Sequence, residues 1–459
     1  MNSQILIVEF WNVCPHLETA AEIGLCESLK SNQVDFHFLG SAVPFNECYL
    51  REKDKVPREI KLGHLTSDLI NWNFITIDDL KLTHQENIFS FNSIPELKRF
   101  THDGFPVGLY VYCNLCDLTK LADPELENNY NLINLLINSY LYTYKYVDKL
   151  LKQSQYNKVL TFNGRHINHA AVKDAAKHNN TKMSYHERGG DNSKYWYESE
   201  RTHNVDSFQK ILKEKVKYFE DHESEESISL FKSSTLASKL ELFSNTKGFD
   251  WAKEGKSPKL KIAYLASSVD EFEYFLSEPH LSPGGIWRDQ RSAIIDILST
   301  IETLGVNAHL TVRLHPYEAN KPVQTQQLWK ILQNKDNITL LMPDSNITSY
   351  DVAKEADMIF VFHSSIAPDL LINQKKVYGM NGSSFDFLRS VQNISTLEQL
   401  NKAISSVYNQ VIGDNDEEQL SHLVDDGIKY LYALRNVGHS YLYYQATGPH
   451  RGRFLGVYL

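Results

Sequence analysis

A chain of 459 residues exceeds one ordinary hydrophobic core and has room for two domains of about 200 residues each. Apolar residues make up 42% and charged residues 23%, and the net charge is −10 with no long basic block. That balance argues against nucleic acid as the main partner, because neutralising phosphates takes clustered Lys and Arg. No run approaches the ~20 apolar residues of a membrane span. The apolar start Gln4–Phe10 lacks a basic lead and a small-residue cleavage site, so no signal peptide is expected. Five cysteines fit a reducing compartment. The single CxxC, Cys113 to Cys116, lacks the second pair that zinc would need and reads as buried thiols.

Taken in order, Gln4–Phe10 predicts a buried strand, Leu17–Ser31 a helix with apolar residues spaced by four, and Val34–Leu39 a second strand. This βαβ opening predicts a parallel sheet. Arg51–Pro57 reads as a loop, and Leu65–Trp72 and Ile94–Phe100 as short helices. Val107–Cys113 reads as a strand and Tyr130–Gln153 as a long helix. Lys158–Phe162 is a strand closed by Asn163-Gly164-Arg165, followed by a helix over His166–His178. Lys182–His186 is a strand ending in Glu187-Arg188-Gly189-Gly190. Ser207–Ser224 and Ile228–Phe243 are helical. Asn245–Pro258, mixing Gly, Lys, Ser and Pro, reads as a linker.

The alternation then restarts. Strands are expected at Lys261–Leu265, Ala308–Leu314, Ile338–Leu341, Met358–Phe362 and Lys376–Tyr378. Helices are expected at Asp289–Leu304, Val323–Leu332, Ser349–Ala356, Ile366–Ile372, Leu397–Val411 and Gln419–Leu434. Asp289, after the Gly284-Gly285 loop, is a helix N-cap candidate. The fold class is therefore α/β with two Rossmann-like domains. The expected boundaries are 1–245 for the first domain, 246–258 for the linker and 259–435 for the second domain. The aromatic, basic tail 436–459 is expected to pack back on the first.

Strand ends in such sheets face ligand crevices. Arg313 and His315 alternate with apolar neighbours, and Pro316 ends their strand. After Phe362, Ser364 and Ser365 sit where a helix begins, and helix N-termini suit phosphate. These two ends are read as holding the phosphates of an activated sugar donor. Ser267 and Ser268 close the first strand of the second half and also face the donor in this reading. In the first half, Arg165 and Arg188 are suited to a carboxylate or phosphate. Glu187 is a candidate base, nucleophile or electrostatic stabiliser, its alternative being an ion pair with either arginine.

The order Arg313-Leu314-His315-Pro316, then His363-Ser364-Ser365, then Asp369, resembles the carboxy-terminal half of GT-B glycosyltransferases of bacterial capsule and lipopolysaccharide assembly. The Kdo-transferase-like and capsule-synthesis groups are nearest. Phe162-Asn163-Gly164-Arg165 and Glu187-Arg188-Gly189-Gly190 resemble their first half, so the likeness runs in ordered fragments over residues 155 to 380.

The resemblance implies two domains facing across a cleft, the second binding donor and the first acceptor. It implies donor contacts at Arg313, His315, Ser364 and Ser365, and Asp369 where relatives often place Glu for a ribose hydroxyl. It puts an acceptor-activating base near His16 and Glu18, although Glu18 also reads as a helix-start residue. Asn163, Arg165 and Arg188 would bind acceptor, and Glu187 is the remaining catalytic candidate.

No DxD pair lies at a strand end, so a metal-independent enzyme with no cofactor is expected. Its co-substrate would be a CMP-, UDP- or GDP-linked sugar and its acceptor a glycan or lipid-linked glycan of a capsule, O-antigen or lipopolysaccharide. The expected location is the cytoplasm, with peripheral association at the inner face of the membrane open. Rival readings are a CDP-polyol-dependent polyol-phosphate transferase of the teichoic-acid type, a sugar-nucleotide epimerase and a non-catalytic glycan-binding module.

Overall fold

A computed structural model describes the chain except residues 1–2, 47–56, 82–86, 122, 202–203, 252–256, 269–284, 288, 331, 333–334, 336, 363, 382, 414–419 and 449, and the side chains of 324–326 and 328. Two units emerge. The first comprises residues 1–118, 124–207 and 435–459, and the second residues 119–123 and 208–434.

The first unit is built on β1 (Gln4–Glu9), β2 (Gln33–Phe38), β3 (Asn71–Phe74), β4 (Lys158–Phe162), β5 (Lys182–Arg188) and β6 (Lys194–Glu198). With the short β13 (His439–Ser440), these form one sheet in the order β13-β6-β5-β4-β1-β2-β3. β1 to β5 are parallel, while β6 and β13 run antiparallel to their neighbours. Alternate residues of β1 serve opposite faces, as the period of two requires. Leu6 and Val8 join the core beneath helices Tyr130–Gln153 and Ile167–His178, while Ile5 and Ile7 pack with Leu17, Ala20 and Ala21 of helix His16–Leu29. Both faces are covered, so the strand is apolar almost throughout.

Two local expectations are corrected. Val107–Cys113 lies in helix Val107–Thr119, not in a strand. A short apolar run buried on all sides cannot be told from a buried helix by periodicity. Asn114 locks this helix, donating to the Tyr110 carbonyl and accepting from the Ile167 N–H. Cys113 and Cys116, both buried free thiols, sit on it. The helix expected over Leu65–Trp72 is instead helix Arg58–Thr66 followed by β3. There Trp72 stacks on Phe36 of β2 at 3.9 Å, and cross-strand packing outweighs local propensity. The loop read at 51–57 lies, but for Pro57, outside the described residues.

The second unit is a six-stranded parallel sheet. Its strands are β7 (Leu260–Leu265), β8 (Ala308–Arg313), β9 (Ile338–Leu341), β10 (Met358–Val361), β11 (Val377–Met380) and β12 (Val391–Ile394), in the order β12-β11-β10-β7-β8-β9. Asp289 caps helix Gln290–Leu304 in a reciprocal capping box with Ser292, and Gly305 closes it at φ 62°. Both units are thus Rossmann-like α/β domains.

The boundary expected at 245 is also corrected. Helices Val205–His222 and Glu225–Ser244 belong, from Phe208 on, to the second unit. Lys239 pairs with Asp369 at 2.9 Å, Lys232 with Asp425 at 2.9 Å, and Phe243 packs on Tyr350. The segment read as a linker is docked as well, since the Asp351 carboxylate accepts from the Lys247 and Gly248 N–H groups. Apart from the short excursion at 119–123, the chain passes between units at 207/208 and at 434/435.

From Arg435 the chain groups with the first unit. β14 (Tyr444–Gly448), β15 (Arg451–Phe454) and β16 (Val457–Tyr458) form a small antiparallel sheet, unforeseen as strands, whose Tyr444 and Phe454 join the core of helix His16–Leu29. Among the described residues, no helix is long and apolar enough to cross a membrane.

Candidate active site

The first sheet has its topological switch point between β1 and β4. The chain runs outward from β1 to β2 and β3, then resumes on the other side with β4 and β5. Ligand crevices open at the carboxyl ends of strands at such points. There β1 ends in Glu9, Phe10 and Trp11, β4 leads into Asn163, Gly164 and Arg165, and β5 ends in His186, Glu187 and Arg188.

Glu9 is fully buried, with its Oε1 2.6 Å from His186 Nε2 and its Oε2 3.7 Å from His169 Nε2. Burial alone would raise the carboxyl, but the two imidazoles hold it down at about 2. Trp11 is the hub of an aromatic box around this group, its ring centroid 4.8 Å from that of Phe162, 4.4 Å from His166, 5.4 Å from His169 and 5.8 Å from His16. Sequence reasoning missed Glu9, Trp11, His166, His169 and His186. A signal was present: one carboxylate in the otherwise apolar run Ile5–Phe10, and histidines three apart just after β4.

Glu187 has its carboxylate fixed by Asn163 Nδ2 at 2.9 Å and by the Arg188 N–H at 3.0 Å. Its side chain keeps 19% of its exposure, and His16 Nδ1 lies 3.9 Å from Oε1. Burial pushes the Glu187 carboxyl up. Burial, reinforced by the charges of His186 and Arg188, pushes His16 well below its ordinary value, so it is neutral at pH 7. Among the described residues, no atom hydrogen-bonds His16 Nδ1. Asn163 in turn accepts from the Arg165 N–H at 3.0 Å. Gly164, at φ 70°, has the Tyr185 ring 2.6 Å from where a Cβ would stand, so only glycine fits. Four sequence-derived candidates, His16, Asn163, Glu187 and Arg188, therefore meet in one place. Arg165 is 4.0 Å from Asp117, and Arg188 donates to His450 Nδ1 at 3.3 Å.

Glu18 does not join them. It is fully buried in the first turn of its helix and paired with Arg58, which makes it a packing residue rather than an acceptor base. Among the described residues, no cluster of His, Cys, Asp or Glu has a metal-holding geometry.

In the second unit, Leu265 of β7 is level with Arg313 of β8 and Val361 of β10, so the three strands end along one edge, with the switch point between β7 and β10. His315 and the serine pair follow on the two neighbours of β7. The His315 side chain is exposed, and its Nδ1 accepts from the Tyr317 N–H at 3.2 Å. Ser364 is half-buried and Ser365 exposed, while His363 lies outside the described residues. The helix after them, Ala367–Ile372, is under two turns, so the dipole expected there is small.

Four expected donor contacts are otherwise engaged. The Arg313 guanidinium donates to the carbonyls of Leu314 (2.8 Å), Met342 (2.7 Å), Pro343 and Ser345 (both 3.3 Å), so it braces the loop after β9. Asp369 is held by Lys239 and by the Tyr350 hydroxyl at 2.9 Å, which removes it from ribose. Ser267 donates to the Phe362 carbonyl at 2.7 Å and exchanges hydrogen bonds with the Gln290 amide. Ser268 accepts from Lys321 at 2.7 Å beside the buried Glu318, a trio that sequence reasoning did not foresee.

No protein-family model and no curated protein matches this chain. Solved structures do. The Thermosulfurimonas dismutans KpsC beta Kdo 2,7 transferase is 12% identical over 55% of this chain and 78% of its own, with a TM-score of 0.33. The S. aureus MnaA–UDP co-structure is 12% identical over 92% of this chain and 91% of its own, at 0.30. The Acinetobacter baumannii MurG structure is 11% identical over 95% and 96%, at 0.28.

Proposed function

We propose that the protein is a glycosyltransferase that moves a sugar from a nucleotide-activated donor to a surface-polysaccharide acceptor, of the capsule, O-antigen or lipopolysaccharide kind. The observation that carries the proposal is the Glu187–His16 pair at the switch point of the first sheet: a carboxyl raised by burial beside a neutral imidazole. Groups tuned toward neutrality at a strand-end crevice suit proton transfer. Glu187 takes the proton of the acceptor hydroxyl as that oxygen bonds to the anomeric carbon and the bond to the donor phosphate breaks. His16 orients the hydroxyl, and Asn163 fixes the carboxylate. In the second domain, His315 and the hydroxyls of Ser364 and Ser365 bind the donor phosphates, since fixed hydrogen-bond donors stabilise phosphate charge. No metal is required in this scheme, and the protein works in the cytoplasm at the inner membrane face.

The test is titration of CMP, UDP and GDP by calorimetry into the wild type and His315→Ala. One nucleotide binding the wild type and at least tenfold weaker in the variant is expected. No binding of any nucleotide would overturn the reading. Turnover of a sugar nucleotide without acceptor would replace it with an epimerase.

A further inference from the structure

The returning tail buries one face of its small sheet and leaves the other in solvent. Tyr444 and Phe454 anchor the inner face in the core of helix His16–Leu29, so the sheet is a fixed part of the first unit. Large apolar side chains nonetheless stay in water along it. Leu442 is 73% exposed and Tyr458 57%, and Leu455 and Val457 are exposed with them. The Leu455 N–H donates to the Tyr443 carbonyl at 2.9 Å, which brings the turn from β15 to β16 alongside Leu442. The three aliphatic residues therefore share one corner of the sheet rather than standing singly. Clustered apolar exposure of this kind marks an interaction surface.

Positive charge flanks the corner. Arg451 and Arg453 stand on the exposed face of β15. Tyr458 is opposite Arg453 in register, and its ring centroid lies 4.2 Å from that guanidinium. Residues 441–459 contain no Asp or Glu. The acids around the tail face other groups. Asp191 and Glu198, on either side of β6, lie 3.8 Å from Arg435 and 4.0 Å from His439, and Glu22 accepts the N–H groups of Leu442, Tyr443 and Tyr444. An aliphatic corner beside two arginines and a tyrosine complements an anionic bilayer. Aliphatic groups enter the acyl boundary, tyrosine sits at headgroup depth, and arginines meet lipid phosphates.

We infer that the tail sheet is a docking surface for a bilayer rich in anionic phospholipid, with Leu442, Leu455 and Val457 entering the interface and Arg451 and Arg453 on the phosphates. The sheet borders the candidate active site, since Arg188, the neighbour of Glu187, donates to His450 at 3.3 Å. Docking holds the crevice of the first unit near the bilayer, which suits an acceptor carried on a lipid. That consequence rests on the transferase reading, whereas the bilayer contact does not.

Flotation of the full chain with vesicles of phosphatidylglycerol mixed into phosphatidylcholine, against phosphatidylcholine alone, tests the surface. Binding about tenfold tighter or more on the anionic vesicles is expected. Arg451→Gln and Arg453→Gln together should weaken it about thirtyfold, near fivefold for each charge lost. Leu455→Ser should weaken it as well, and Leu442→Ser gives the same readout if Leu455→Ser misfolds. Equal binding to both compositions, binding to neither, or wild-type binding by the double arginine variant would overturn the surface. So would a concentration-dependent dimer, abolished by Leu455→Ser, in place of vesicle binding. Nucleotide titration of the same samples separates the two proposals. Nucleotide binding without flotation sinks the docking surface alone, whereas flotation without nucleotide binding sinks the transferase and leaves the surface standing.

Discussion

Glu9 Oε1 and His186 Nε2, 177 residues apart in sequence, meet at 2.6 Å at the centre of the first unit. The carboxylate ends β1 and the imidazole stands near the end of β5, so β4 separates their strands and the pair spans the switch point. Removing one partner of a buried pair strands the other charge. Glu9→Gln should therefore lose about 3–5 kcal/mol in urea unfolding at pH 7.

The same pair predicts acid sensitivity. The Glu9 carboxyl is depressed from 4.5 to about 2 in the folded state. Its contribution is fully present above 4.5 and is lost as pH falls toward 2. Wild-type stability should drop across that window and Glu9→Gln should show a flatter profile; parallel profiles would refute this.

Glu187 has the opposite sign. Its folded carboxyl is raised by burial, so stability is greatest below 4.5 and declines as pH rises through the folded value. Glu187→Gln should be as stable as the wild type or more so at pH 8, measured by thermal melting, while transfer activity falls by a factor of about 10² to 10⁴. In the wild type the acidic limb of kcat/KM should lie above pH 4.5 and vanish in the variant.

Arg313 braces four carbonyls, so Arg313→Lys, a point charge where a planar fork is needed, should cost about 2–3 kcal/mol of stability. Nucleotide affinity of the folded fraction should stay within about threefold of the wild type, under half the tenfold free energy. A large affinity loss with unchanged stability would restore Arg313 to the donor site.

Glu22 anchors the tail by accepting three successive N–H groups, at 2.5 to 3.0 Å. Glu22→Ala leaves them unsatisfied, at about 1–3 kcal/mol each where buried. Hydrogen exchange at residues 442–444 should accelerate far more than in β1. Uniform acceleration would mean global destabilisation instead.

The sequence by itself determined the repeated α/β alternation, most strands of both sheets, the Asp289 cap and the positions of Asn163, Glu187, Arg188, His315, Ser364 and Ser365 at or just past strand ends. These are set by periodicity and local punctuation, which act over a few residues. Tertiary structure decided the rest. Whether Val107–Cys113 is strand or helix depends on what surrounds an apolar run, and β3 exists because Trp72 finds Phe36. Arg313, Glu18 and Asp369 looked like ligands until distant carbonyls, Arg58 and Lys239 claimed them. Glu9 and its histidines come together only when β1, β4 and β5 pair, because a charge buried in an apolar strand is stable only beside a partner the local sequence does not contain.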